Sequence, residues 1–477
     1  MNDTGRQNPR HRLAVILVVL LGLIGAVVVG RYSVDYPELT VALALTVLAM
    51  VAFVSWVISG HSPSERYRWV PFAWVGLLLI TDLQLDPQDP LAVATGNITI
   101  FHVIEVLTYA AVVALVMRAG AGGTGVRRTR TPKGLLLTWP AVAVASTLWS
   151  LTPVYTLVRS LQIVILALFA LLLVRLWVYD PAVGQLIWAR TLRLFVQSVT
   201  ILALVGFLVR DWPGDRFTWP ASDPGLAATY MGCALLILVG GGRALTGFRP
   251  WAYWLRLGIF TLALTLGPTR SVLAGVGIGV GAALWFRGRE RPIARYLGMT
   301  YYLAGLVLLG AAATQVATYL SRGESGESLA SLSGRIPLWE FALRQFESIP
   351  EWLGGFGYGA AKILLYPSVP WAGTAHSSWM ELLLGVGLIG VFLAAADIVH
   401  VGVLSIRSDP FGSSNVVALS VLSFLLIVSP VSETMVVPGI GFTMLALIHV
   451  PALAQRRGWL ARPRVGRRPR EGSAVSR

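Results

Sequence analysis

Apolar runs of about twenty residues recur almost from one end of this chain to the other, each closed by charge or by a Gly/Pro break. That length suits an α-helix crossing a hydrocarbon layer ~30 Å thick, where every backbone N–H and C=O must be paired within its own segment. The runs fall near 12–30, 39–59, 69–83, 98–117, 135–150, 155–176, 191–209, 224–240, 251–267, 271–286, 296–314, 378–400, 414–430 and 437–454. They predict an all-α, polytopic integral membrane protein with about 12–14 transmembrane helices, forming a single membrane domain over 1–477. Composition agrees: 55% of residues are hydrophobic and 13% charged, against roughly a quarter charged in soluble domains.

The formal net charge of +15 does not point to nucleic acid, because the positive residues sit in short loops and tails between the runs. Placing Arg6, Arg10 and Arg12 in the cytoplasm sends Arg66 and Arg68, the 118–134 loop, Arg243 and Arg249, Arg287–Arg295 and the 455–477 tail to the same side. The opposite side receives acidic or lightly charged loops such as TDLQLDPQDP at 81–90. The positive-inside rule therefore predicts a bacterial cytoplasmic membrane protein with both termini cytoplasmic and a large outward loop over 315–377. No small-residue cleavage site follows the first run, so a retained first span is expected. The single cysteine, Cys233, lies inside an apolar run, which excludes a disulfide framework and a cysteine metal site.

Outward arginines run against this orientation and need a reason. Four lie near apolar ends on that side: Arg159 in TPVYTLVRSL, Arg216 in GDRFTWPASDPG, Arg270 in LGPTRSVLAG and Arg335 in SGRIPLW. Residues 257–286 are apolar except for Arg270, and Gly267-Pro268 breaks the run beside it. An ionisable group at such a break is usually functional, although snorkelling to lipid headgroups stays open for all four. After Arg335, Pro337 favours a helix start. Ile336, Trp339, Leu343 and Phe346 then recur at spacings of three and four, opposite Glu340, Arg344 and Glu347. That spacing predicts a short amphipathic helix of about three turns, whose N-terminal N–H groups and adjacent guanidinium suit a phosphate.

Of the six histidines, His11 and His61 lie in cytoplasmic flanks, while His102, His400 and His449 read as packed side chains. His376 alone sits in the outward loop at the mouth of a span, where a neutral imidazole can accept a proton from a hydroxyl. Glu381 is the nearby acid. There is no HExxH, no DxD pair and no carboxylate cluster at ligand spacing, so no divalent metal and no other cofactor is expected.

The stretches TLWSLTPVYTLVRSL, RFTWPASDPGLAATYM, LGPTRSVLAGVGIG, SGRIPLWEFALRQFESIPEWLGGFGYG and HSSWMELLLGVGLIGVFL, in this order over residues 147–395, resemble the O-antigen ligase and O-antigen polymerase-related family of membrane glycosyltransferases. The family's usual Ser-Arg is Thr269-Arg270 here, its Asn-Pro is Asp223-Pro224 and its His-Asn is His376-Ser377. The resemblance implies metal-independent, inverting transfer of a glycan from a polyprenyl (undecaprenyl) pyrophosphate carrier to a glycan, lipid or protein acceptor, in cell-envelope polysaccharide biosynthesis. It implies that the arginines hold the pyrophosphate and that His376 lies near the acceptor hydroxyl. A transporter or flippase of lipid-linked glycan would also line a membrane path with arginines, but it more often shows internal repeats and midplane charges.

Overall fold

The computed structural model describes residues 70–82, 135–209, 222–267, 269–287, 334–367, 374–408 and 412–461, with isolated positions such as 108, 109, 112, 217–219 and 302–305. The runs at 12–30, 39–59 and most of 98–117, the 118–134 loop, the tail beyond 461, Arg216, His11, His61, His102 and residues 315–330 lie outside the described residues. The described chain is helical. In order come α1 (Val70–Asp82), α2 (Thr138–Ala145), α3 (Pro153–Tyr179), α4 (Pro181–Val209), α5 (Pro224–Thr246), α6 (Pro250–Leu266) and α7 (Arg270–Arg287). Three short helices follow, α8 (Arg335–Leu343), α9 (Ile349–Gly354) and α10 (Ala361–Leu365). The chain then enters α11 (Ser378–Ser408), α12 (Ser413–Val428) and α13 (Ile440–Ala461). Among the described residues, five helices are long and apolar enough to cross a membrane: α3, α4, α5, α11 and α12 extended to Val431.

Four of the described helices start on proline, α3 to α6, where the missing N–H costs nothing and φ is already helical. Asp223 caps α5, its carboxylate accepting from the N–H groups of Gly225 (2.7 Å) and Leu226 (3.2 Å). Lipid offers no hydrophobic drive between helices, so close packing and small residues hold the bundle together. At Gly279 of α7 a Cβ would lie 2.8 Å from Leu236 of α5 and 2.9 Å from the Ser420 carbonyl of α12. Outward-facing Leu204, Leu262, Phe392 and Val399 stay exposed, as lipid-facing side chains do.

Two expectations are corrected. The run at 135–150 does not form a spanning helix: α2 covers eight residues before a 3-10 turn at Ser146–Leu148, because the chain turns there to meet the 354–359 loop. The amphipathic helix is real, but its buried face is rotated. Leu338 and Ala342 are its buried side chains, while Ile336 and Leu343 are each 38% exposed; Phe346, just beyond the helix, is buried as expected. The inner partners come from Ala361, Leu365, Ala375 and Leu384, a surface that the spacing within α8 alone does not reveal.

The two ends of the bundle are chemically different. One collects Arg175, Arg190, Arg243, Arg249, Arg287 and Arg407, near the ends of their helices. There Arg287 donates to the Val239 carbonyl at 2.8 Å, and Arg193 and Arg256 lie over the Phe248 ring at 5.3 and 4.3 Å. The other end gathers the starts of α3, α5, α7, α11 and α13.

Candidate functional site

The second end is organised around the sequence GGFGYG, residues 354–359. Gly355, Gly357 and Gly359 all take positive φ (68°, 102° and 86°), a region that costs glycine nothing. At Gly357 a Cβ would overlap Ser150. The loop is wedged between the start of α3 and the middle of α11. On one side the Leu151 N–H donates to the Phe356 carbonyl (3.1 Å), Trp149 Nε1 to the Gly354 carbonyl (3.0 Å) and Thr156 Oγ1 to the Tyr358 carbonyl (2.9 Å). On the other, α11 breaks at Gly387 (φ 66°, ψ −168°). The N–H groups of Phe356 and Gly357 donate to the Leu384 and Gly385 carbonyls beside that break, at 2.8 and 2.9 Å. Buried irregular backbone is tolerated when its polar groups are paired in this way. The buried Tyr358 hydroxyl donates to the Val436 carbonyl at 2.6 Å. Burial pushes that phenol well above its usual range, so it is a fixed donor and not an acid–base group.

His376 sits at the foot of the first half of α11. Among the described residues it is the only non-glycine with positive φ, 49°. A turn of that kind costs on the order of 1–3 kcal/mol, and its neighbours hold it from both sides. The Trp339 indole donates to the Ala375 carbonyl (2.8 Å), and the Ala375 N–H donates to Glu381 Oε1 (2.8 Å). Two residues on, the Ser378 N–H and hydroxyl both donate to the Ser432 carbonyl, at 2.9 and 2.7 Å. The imidazole is 32% exposed. Its Nδ1 lies 3.4 Å from Thr374 Oγ1 and 3.8 Å from Glu433 Oε2.

The structure places the arginines at this end by three different routes. Arg335 opens α8 behind Gly334, which takes φ 83°. It lies four residues before Trp339, hence on the same helix face as the side chain that grips the His376 turn. Arg159, in the second turn of α3, donates from Nη1 to Gln162 Oε1 (3.1 Å) and lies 5.7 Å from the Tyr155 ring centre. It is close enough to act on the charge of buried Glu381, as are Lys362 and Glu433. Arg270 opens α7, one and a half turns from Gly275, where a Cβ would meet Val428 at the end of α12. The chain then passes through the 3-10 turn Ser429–Val431, whose Ser429 accepts from the Trp379 indole at 3.1 Å. Arg270 is thus level with the first turn of α11 without a contact to His376 among those described. Arg216 lies outside the described residues, but the next residue, Phe217, donates its N–H to the Leu266 carbonyl (3.4 Å), four residues before Arg270.

Sequence reasoning missed Glu433, Lys362 and Tyr155, and read Trp339 only as part of an apolar helix face. Glu433 carried a visible signal, an acid in PVSETMVVPG between the last two runs. Its pairing with a histidine on another span did not.

A family model described as O-antigen ligase matches residues 255–395. This supports an O-antigen ligase-related family for the chain and covers Arg270, Arg335, the glycine loop and His376. No curated protein matches the chain.

Proposed function

We propose that this multi-pass membrane protein is a glycosyltransferase of the ligase or polymerase type. It moves a glycan from a polyprenyl-pyrophosphate carrier to an acceptor hydroxyl at the outer face of the bacterial cytoplasmic membrane, with both termini and the arginine-rich end in the cytoplasm and the 315–377 loop outside. The observation that carries this reading is the convergence of Arg335, Arg159 and His376 on one end of the bundle, inside or beside the stretch that matches the O-antigen ligase family model.

The chemistry needs charge stabilised on a leaving pyrophosphate and a proton removed from the incoming hydroxyl. Arg270 and Arg335 stand at helix N-termini, where the guanidinium and free backbone N–H groups favour the same anion. With Arg159 and Arg216 they hold the pyrophosphate without a metal. His376 accepts the proton from the acceptor hydroxyl as its oxygen bonds to the anomeric carbon. The bond from that carbon to the pyrophosphate oxygen breaks, its electron pair leaving with the carrier, and the configuration inverts. The 32% exposure of the imidazole fits a group that must meet an acceptor arriving from water or from a neighbouring lipid.

Arg→Lys at 270 or 335 keeps the charge but loses the two-pronged donor geometry. Each variant should insert and fold normally, yet lose about 1.5–3 kcal/mol of donor interaction, roughly 10–100-fold in transfer. Transfer from a radiolabelled polyprenyl-pyrophosphate-linked oligosaccharide in proteoliposomes reads this directly, and a chelator should leave the wild-type rate unchanged. A fully active Arg335→Ala protein would remove Arg335 from the site.

A further inference from the structure

We propose that Arg193 and Arg256, at the arginine-rich end of the bundle, form a binding site for the phosphate headgroup of an anionic glycerophospholipid. The site lies at the end opposite His376 and depends on neither the glycan chemistry nor any histidine.

Both guanidinium groups gather on one aromatic ring. Phe248 lies buried in the turn between α5 and α6. The guanidinium carbon of Arg193, from α4, is 5.3 Å from its ring centre, and that of Arg256, from α6, is 4.3 Å away. The turn has room for them: Gly247 ends α5 at φ 64°, and a Cβ there would come within 3.3 Å of Arg193 Nη1. Arg256 bends back along its own helix, its Nη1 donating to the Ala252 carbonyl at 2.8 Å. An arginine reaching from a span to the headgroup level takes that direction. Trp251 and Trp254 stay exposed in the first two turns of α6, as aromatic residues do at a membrane boundary.

Negative charge is what this cluster lacks. Two like charges converge on the ring, an arrangement that repels unless an anion joins them. The ion pairs among the described residues are both histidine–carboxylate pairs elsewhere. Among those residues, then, no carboxylate partners Arg193, Arg256 or the exposed Arg243 and Arg249 that flank the turn. Arg256 Nε is buried without a hydrogen-bond partner among them, a cost that a nearby anion on the same guanidinium offsets. The ring fixes the two planar forks in place, and a phosphate accepts from such forks with two parallel bonds. A lipid fits better than free phosphate because apolar surface continues from the pair. Leu255 and Leu262 of α6 are exposed and, seven residues apart, share one face. They lead from the level of Arg256 toward the middle of the bundle, where acyl chains lie.

The test uses the full-length protein in phosphatidylcholine liposomes containing increasing fractions of a phosphatidylglycerol that carries a photoreactive group on its headgroup. Adducts on residues 247–256 are mapped by mass spectrometry, and the half-saturating lipid fraction is compared among variants. Arg193→Gln and Arg256→Gln should each raise it about fivefold, and the double variant about 25-fold, the effect of one and two charges at a membrane surface. The Arg193→Lys/Arg256→Lys protein keeps the charge but loses the forks. It should fall between wild type and the double Gln variant, which separates binding from folding should the Gln pair melt early. Photoreactive phosphatidylcholine should label the same residues far less, and excess inorganic phosphate should leave the phosphatidylglycerol adducts in place. Half-saturation unchanged in the double Gln variant, or equal labelling by phosphatidylcholine, would overturn the proposal. Displacement by inorganic phosphate would overturn the assignment to a lipid. Stronger competition by unlabelled polyprenyl pyrophosphate than by unlabelled phosphatidylglycerol would overturn the assignment to a glycerophospholipid.

Discussion

Among the described residues two histidines face a carboxylate, and they differ in what they can reach. His449 of α13 meets Asp397 of α11 at 3.0 Å with both side chains fully buried, and its other ring nitrogen lies 2.7 Å from the Leu445 carbonyl. Both nitrogens are satisfied, so the ring ties two helices together and has nothing left for a substrate. His376 meets Glu433 at a longer distance, a third exposed, on a left-handed turn at a helix mouth. The same pair of residue types serves packing in one place and chemistry in the other. Access separates the two roles, not the presence of the carboxylate.

Substituting both histidines in turn separates the roles most sharply. His376→Ala should slow transfer by roughly 10²–10⁴-fold, the range of a lost general base, with the donor still bound. His449→Leu should instead cost stability and leave the rate per folded molecule intact. Losing the partner of a buried polar group costs about 1–3 kcal/mol, which melting in detergent would register. If His449→Leu stopped transfer while His376→Ala did not, the assignment of the two rings would have to be exchanged.

A third carboxylate provides a smaller contrast. Glu351 accepts from the N–H groups of Glu347 (2.7 Å) and Ser348 (3.0 Å) at the start of α9. Those bonds hold its carboxyl below the usual range. A depressed folded-state value means its contribution is present above the unfolded value of ~4.3 and is lost as pH falls through the folded value. Glu351→Gln should remove that low-pH fraying of α9, read as amide exchange over 348–354, while transfer at neutral pH stays as in wild type.

Much of the helical framework was legible in the chain. Pro153, Pro224 and Pro250 mark helix starts that the apolar runs already placed within two residues. The start of α4 was not: it begins at Pro181 and not near 191, because Arg190 interrupts the run without interrupting the helix. The eight-residue α2 and the rotated face of α8 were also hidden, since both are set by what packs against them. Arg270 stood out as a charge within an apolar stretch, Arg335 as an outward arginine at a helix start, and His376 as the histidine of the outward loop. The partners of His376 and His449 did not, because Glu433 and Asp397 reach them across helices, and no local spacing encodes a contact 52 residues apart.

The central claim is that the end of the bundle carrying His376, and not the arginine-richer end, receives the pyrophosphate. A polyprenyl pyrophosphate bearing a photoreactive group close to the phosphates, cross-linked to the protein in proteoliposomes and mapped by mass spectrometry, tests it most directly. The account predicts adducts on residues 334–344 and 374–380, competed by unlabelled polyprenyl pyrophosphate. Adducts confined to 243–256, among the arginines at the opposite end, would contradict it.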